Sequence, residues 1–321
     1  MNVKIGTFNL NNLFSRFNFK ANIEKLEEAD INGTITYSFS DPEKYWINIY
    51  KGKLVKPKKD TLREMIVKRI KSIEVDVLAV QEVEDIDTLC RFASEDLEGM
   101  YRYKILIEGN DPRLIDVGLL SKYPIGAIIS WKEAVHPDNP EKPVFSRDLL
   151  EVEVFNKSRS TKLFTIYNTH LKSNFVEYYQ DKEKVTRESN LRRKQQAEMI
   201  AKIIKSRMRP DSPYIVTGDM NDLPDSSRLE PFVKDRELNL HNALQQPRET
   251  RPSKKDEPPP KTSAWTHRFK ESGEPAKYEL YDQIWLSPSL TDKQQEAWID
   301  RRTKHEGDGS DHDPAWVVLD I

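Results

Sequence analysis

Eight polar side chains stand where apolar runs of the chain stop: Asn9, Glu82, His170, Asp219, Asn221, Asp282, Asp311 and His312. Carboxylates and amides dominate this set, and the chain holds a single cysteine, Cys90. Such donors suit a hard, oxygen-loving cation such as Mg2+, with Mn2+ as a substitute. A divalent ion of this kind bridges phosphate oxygens and neutralises the charge that grows during phosphoryl transfer. An imidazole with an ordinary pKa near ~6.5 takes a proton from water at neutral pH once a carboxylate fixes its tautomer. His312 is the candidate base and Asp282 its candidate orienter, while Asn221 and His170 can donate hydrogen bonds to non-bridging phosphate oxygens. Taken singly, each position has a structural reading, Glu82 as an acid in a helix first turn and Asn9 as a turn residue. Taken together, the set fits metal-assisted hydrolysis of a phosphoester.

These residues need a scaffold that gathers strand ends. Apolar runs of strand length cover residues 3–10, 75–80, 117–120, 149–155, 162–167, 213–217, 283–286 and 315–321. Residues 61–74 place Leu62, Met65, Ile66, Ile70 and Ile73 on one helical face, with Asp60 as the expected N-cap. Residues 191–207 put Ala197, Ile200, Ile203 and Ile204 on a second stripe, and Cys90 falls in a short helix after Glu82. The pattern is α/β, with helices covering sheet faces and polar clusters meeting along one edge. Residues 18–59 and 247–262 read as surface insertions, the second too rich in proline for a helix or a central strand. No linker divides the chain, so one catalytic domain over residues 1–321 is expected.

The ordered segments Thr7-Phe-Asn-Leu, Gln81-Glu-Val, Asn168-Thr-His-Leu-Lys, Gly218-Asp-Met-Asn, Tyr281-Asp-Gln-Ile-Trp-Leu-Ser and Ser310-Asp-His-Asp-Pro resemble the endonuclease/exonuclease/phosphatase superfamily. The resemblance implies a DNase I-like four-layer α/β sandwich, two central mixed β-sheets flanked by helices, with the site at one edge. It implies Glu82 as principal metal ligand with Asn9 beside it, and Asp311 as a carboxylate on the metal side. Asp219 and Asn221 match the pair that handles the attacking water and phosphate, and His312, Asp282 and His170 match the catalytic, orienting and phosphate-binding positions. Asp219 and His312 both remain candidates for the general base. Asn11 stands where some members carry an acid, which favours one Mg2+ on Glu82. The segment from Asp111 through Arg113 and Asp116 to Ser121 is similar to one in bacterial nuclease-like members. Arg113 and Asp116 are therefore expected to face substrate, Arg113 by forking onto a phosphate, and so are Asn168 of the Asn168-Thr-His segment and Arg193 of the basic run 181–210.

Composition bounds the partners. The net charge is −2, yet residues 51–71 carry +7, residues 181–210 carry +6, and residues 74–98 around Glu82 carry −8. Local basic segments around an acidic centre are compatible with nucleic acid as substrate. No apolar run reaches membrane-spanning length and the N-terminus enters a strand at once, so a cytoplasmic enzyme is expected. A small-molecule or lipid-headgroup phosphatase, of inositol phosphate or sphingomyelin type, is the competing reading, and a catalytically silent binding module is a third. A dinuclear metallophosphoesterase also has a Gly-Asp-x-x-Asp element, but the Asp-x-His and Gly-Asn-His segments it needs are missing.

Overall fold

A computed structural model of the chain describes residues 1–15, 58–173, 181–209, 211–250, 264–269, 273, 275–301 and 308–321. Most of the two expected insertions, residues 18–57 and 251–262, lies outside the described residues.

Two mixed sheets form the centre. The first has seven strands. Its middle is Asn2–Leu13, parallel to Val77–Val83 and antiparallel to Ala315–Asp320. The second has six strands. There Tyr214–Asp219 runs parallel to Lys162–His170 and antiparallel to Asp282–Leu286. Both faces of each sheet are covered, which is why these strands read as continuous apolar runs with little polar alternation. Alternate residues nevertheless go to different layers. Val77 and Ala79 pack between the sheets with Val152, Ile166, Ile215 and Ile284. Leu78 and Val80 turn outward onto Ile66 and Ile70 of the Asp60–Ile73 helix. On the opposite side, Tyr214 and Val216 pack against Ile200 and Ile204 of the Lys182–Arg207 helix. The order helix, sheet, sheet, helix gives the expected four-layer α/β sandwich.

Several local expectations are corrected. Asp60 opens the first helix and does not cap it, since Lys59 precedes it without a side-chain cap bond. On that helix Met65 is exposed, and the inward position is taken by Arg69, whose charge is met by Asp300 and Asp313. The long helix begins at Lys182, capped by Asp181 accepting from the Lys184 amide, so it is nine residues longer at its start than the apolar stripe predicts. Of residues 247–262, Arg248–Glu249 joins the edge of the first sheet.

The sheets are also locked by polar side chains. Asn168 donates to the Val80 and Gly118 carbonyls and accepts from Gln81, tying one sheet to the other. Gly218 lies beside this clamp at a φ of 130°, where a Cβ would sit 1.9 Å from the Thr169 carbonyl oxygen. Only glycine allows that approach.

Candidate active site

The site is assembled by register. His170, Asp219 and Asp282 end or begin neighbouring strands and are direct partners across the second sheet. The first sheet meets this row with Asn9 and Glu82, both at irregularities in pairing. Register shifts between Asn9 and Leu13 on one strand and between Gln81 and Val83 on the next. Asn11, Asn12 and Glu82 take left-handed φ values of 47°, 59° and 60°. Bulges re-aim side chains at sheet rims, and non-glycine residues held at positive φ concentrate at functional sites. Here they turn Asn12 so that its amide donates to Glu82 Oε2 at 3.0 Å, and Asn11 so that its Nδ2 donates to Asp311 Oδ1 at 2.7 Å.

His312 sits at the centre. Its Nδ1 pairs with Asp282 Oδ2 at 2.6 Å, which leaves Nε2 directed at Asp219 Oδ2, 3.8 Å away. The loop that carries it is held by Ser310, whose hydroxyl donates to the Asn9 carbonyl and accepts from the His312 amide. Burial works against the imidazolium, but Asp282, Asp219 and Asp311 outweigh it and hold His312 well above its ordinary value. Asp219 is held above the usual carboxylate range by burial, against the pull of His312. It accepts from Asn9 Nδ2 at 3.0 Å and from the Asn221 amide at 2.9 Å. His170 Nε2 lies 3.4 Å from the same carboxylate, and burial together with Arg147 holds its imidazole well below its ordinary value.

Glu82 and Asp311 are the acids that could hold a metal ion. Burial raises the Glu82 carboxyl, and Asp311 and Asp219 raise it further. Carboxylates that repel each other in a partly buried site are stabilised by a cation. The donor set is oxygen-rich, so these residues fit a divalent ion of the Mg2+ class. Asn9 is less open to it than expected: its Oδ1 accepts from the Asn11 amide and its Nδ2 is on Asp219.

Three residues join the site that sequence reasoning passed over. Lys58 donates to the Asn11 carbonyl at 2.5 Å, and burial lowers its ammonium to about 8 despite the attraction of Asp311 and Glu82. Arg147 is fully buried, 3.3 Å from Asp111 and donating to the Leu171 carbonyl, within the field of Glu82 and Asp219. His267 stacks on Tyr281, with its ring centroid 4.8 Å from that of His312. His267, Asp311 and His312 are close enough to share a metal ion. The only signals were an Arg-Asp pair before a strand and a lone His after a tryptophan and a threonine, too common to single out.

The four expected substrate-facing residues do not come together. Arg113 is half-exposed and forks onto Asp111 with two bonds of 3.0 Å. Asp116 is buried and accepts from the Gly109 amide; burial pushes its carboxyl up to about 7. Asn168 spends both its amide protons on backbone carbonyls, so it clamps the sheets and does not face substrate. Arg193 is corrected most plainly: it turns inward from its helix to Asp222, Asn190 and the Lys172 carbonyl.

A model of the endonuclease/exonuclease/phosphatase family matches residues 7–312, from the strand carrying Asn9 to His312 itself. The chain belongs to that family. Members of the endonuclease/exonuclease/phosphatase family are phosphoester hydrolases and generally depend on a divalent metal. A family member from Bacteroides vulgatus is similar to the chain at TM-score 0.59 and 18% identity, covering 100% of this chain and 99% of that one. Truncated TDP2 from Caenorhabditis elegans gives 0.52 and 17%, over 81% of this chain and 90% of its own. The Bacteroides thetaiotaomicron mannosyl-6-phosphatase gives 0.55 and 14%, over 99% of each. At such identities the likeness is one of fold. No curated protein matches the chain.

Proposed function

We propose that the chain is a Mg2+-dependent phosphodiesterase that hydrolyses nucleic acid, with the Asp219–His312 pair taking the proton from the attacking water. The observation that supports this most directly is the His312 Nδ1–Asp282 contact of 2.6 Å, which leaves Nε2 and Asp219 Oδ2 facing one another across 3.8 Å. A water between them would deliver its proton to either atom, and the two groups titrate as a pair. Asp282 holds the imidazole in one tautomer and orientation. Neutral His170 is placed to donate a hydrogen bond to phosphate, while Asn221, at a φ of 50° with Nδ2 on the Leu171 carbonyl, fixes the loop after Asp219. Glu82 and Asp311 would hold the metal, which when bound neutralises charge on the phosphoryl oxygens.

Nucleic acid is favoured over a neutral headgroup by the exposed basic residues of the long helix, Lys182, Lys184, Arg187 and Lys194. Among the described residues no helix is long and apolar enough to cross a membrane. The test is a substrate panel with Mg2+ or Mn2+: supercoiled plasmid, RNA, inositol phosphates and sphingomyelin, each with wild type and His312→Ala. Plasmid or RNA cleavage that needs metal and His312 is the expected result. Release of phosphate from inositol phosphates with nucleic acid left intact would replace this reading with the phosphatase one.

A further inference from the structure

Beside the catalytic row the chain forms a cavity of about 630 Å3, open on one side, between the Asp111–Arg113 loop, the segment 136–144 and the start of the long helix. Four of its lining residues are cationic: Arg113, Lys142, Lys172 and Arg192. Its two acids are Asp111 and Glu188, and Asp111 is already matched by both Arg113 and Arg147. Among the described residues neither the Lys142 nor the Lys172 ammonium has a hydrogen-bond or ion-pair partner. Lys172 is half-buried, and burial together with Arg147 and Arg113 lowers its ammonium from the ordinary value. Arg113 is held by Asp111 and Arg192 by the Pro143 and Val144 carbonyls. Four cations against two acids leave the recess net positive around the two lysines, an excess that an entering anion would offset.

Continuity with the site is covalent. Lys172 lies two residues after His170, a reach of roughly 7 Å along extended chain. The intervening Leu171 carbonyl receives both Arg147, which also faces Asp111 in the cavity wall, and Asn221 of the catalytic row.

We propose that this cavity is a second anion subsite, one that takes a phosphate group carried by the same substrate as the scissile phosphoester. The proposal rests on the phosphoester reading of the catalytic row and adds a substrate class to it: molecules with at least two phosphate groups, a few bonds apart. Lys142 and Lys172 make the direct charge-assisted contacts, and Arg113 closes the wall beside them. A polynucleotide supplies the second phosphate from its backbone, and a small polyphosphorylated alcohol supplies it from a ring substituent. A molecule with a single phosphate fills only the catalytic half.

The test compares ligands that differ by one phosphate, on the full chain, by calorimetry in Ca2+. Thymidine 3′,5′-bisphosphate should bind wild type at least about tenfold more tightly than thymidine 5′-monophosphate, the worth of one charge-assisted contact. Lys142→Ala/Lys172→Ala should bring the two within about twofold, with the exposed-site single variant Lys142→Ala intermediate. Equal binding of the two nucleotides to wild type, no binding of either, or a ratio unmoved in the double variant of unchanged melting temperature would overturn the subsite. Inositol 1,4-bisphosphate against inositol 1-phosphate repeats the comparison, and the pair with the larger ratio identifies the source of the second phosphate. Turnover is read separately. A protein that hydrolyses no phosphoester but keeps the lysine-dependent ratio has lost the catalytic reading and retained the subsite.

Discussion

Two buried clusters of charge lie back to back around the loop 310–313, and they are built on opposite principles. In one, Arg69 bonds Asp300 at 2.9 Å and Asp313 at 2.7 Å and reaches the His312 carbonyl. Arg301 pairs with Glu249 and lies over Trp265, with its guanidinium carbon 3.8 Å from the ring centroid. Every acid there meets a cation. In the other, Glu82, Asp219, Asp282 and Asp311 converge on one imidazole, and both Glu82 and Asp219 are held above the usual carboxylate range. Among the described residues Asp282 Oδ1 and His170 Nδ1 have no hydrogen-bond partner, and in the first cluster the same holds for Arg301 Nε. The first cluster balances its charges internally and fixes the loop. The second gathers four carboxylates on one imidazole, an imbalance of charge that a bound cation would relieve.

That contrast can be broken at several points. His312→Ala should lower kcat on any cleaved phosphoester by about a thousandfold, the usual worth of a positioned base, with the melting temperature nearly unchanged. A comparable loss of stability would move His312 into the structural cluster. Arg69→Ala should instead cost about 3–5 kcal/mol in urea denaturation, because it strands Asp300 and Asp313. Its activity per folded molecule should fall far less than in His312→Ala.

Asp116 sharpens the comparison, since it is a buried carboxyl outside both clusters whose attraction to Arg147 does not offset its burial. Its folded pKa of about 7 lies above the unfolded value of 3.8, so the folded state holds the proton longer and stability falls as pH rises through that window. Asp116→Asn should gain on wild type by roughly 2–3 kcal/mol between pH 5 and 7. A difference that does not change with pH would mean the carboxyl is ionised throughout. The smallest effect is metal-linked. Mg2+ at about ten times its Kd should stabilise wild type by roughly 1.4 kcal/mol, and Glu82→Gln should remove most of that gain. Equal Mg2+ stabilisation of both proteins would exclude Glu82 as a ligand.

The sandwich itself was legible because both sheets are covered on both faces and their strands are unbroken apolar runs. Residues 149–155 are a strand end to end, as their pattern predicts. The strand ends carrying His170, Asp219 and Asp282 were legible for the same reason. The strands of Asn9 and Glu82 run on past them through bulges that the apolar pattern does not show. Charge was read less well. Arg69 and Arg193 belong to basic runs that look solvated, but the helical repeat turns each of them inward beside its apolar stripe, where carboxylates from distant segments meet them. Lys58 is one of many basic residues in its run and Arg147 and His267 carry no local pattern, and each becomes part of the site only through contacts more than thirty residues away or across the sheet edge.

By itself the sequence determined the family, the layers and the row of polar residues at the strand ends, because strand periodicity and turn chemistry act over a few neighbours. Tertiary structure alone decided that His312 faces Asp219 and not Glu82, that Asn168 clamps the sheets, and that Arg193 is withdrawn from solvent. It also decided that two lysines with no partner among the described residues line a recess one step from His170. Those outcomes depend on which charges meet after the sheets close, and Coulomb interactions between groups hundreds of residues apart leave no trace in local spacing.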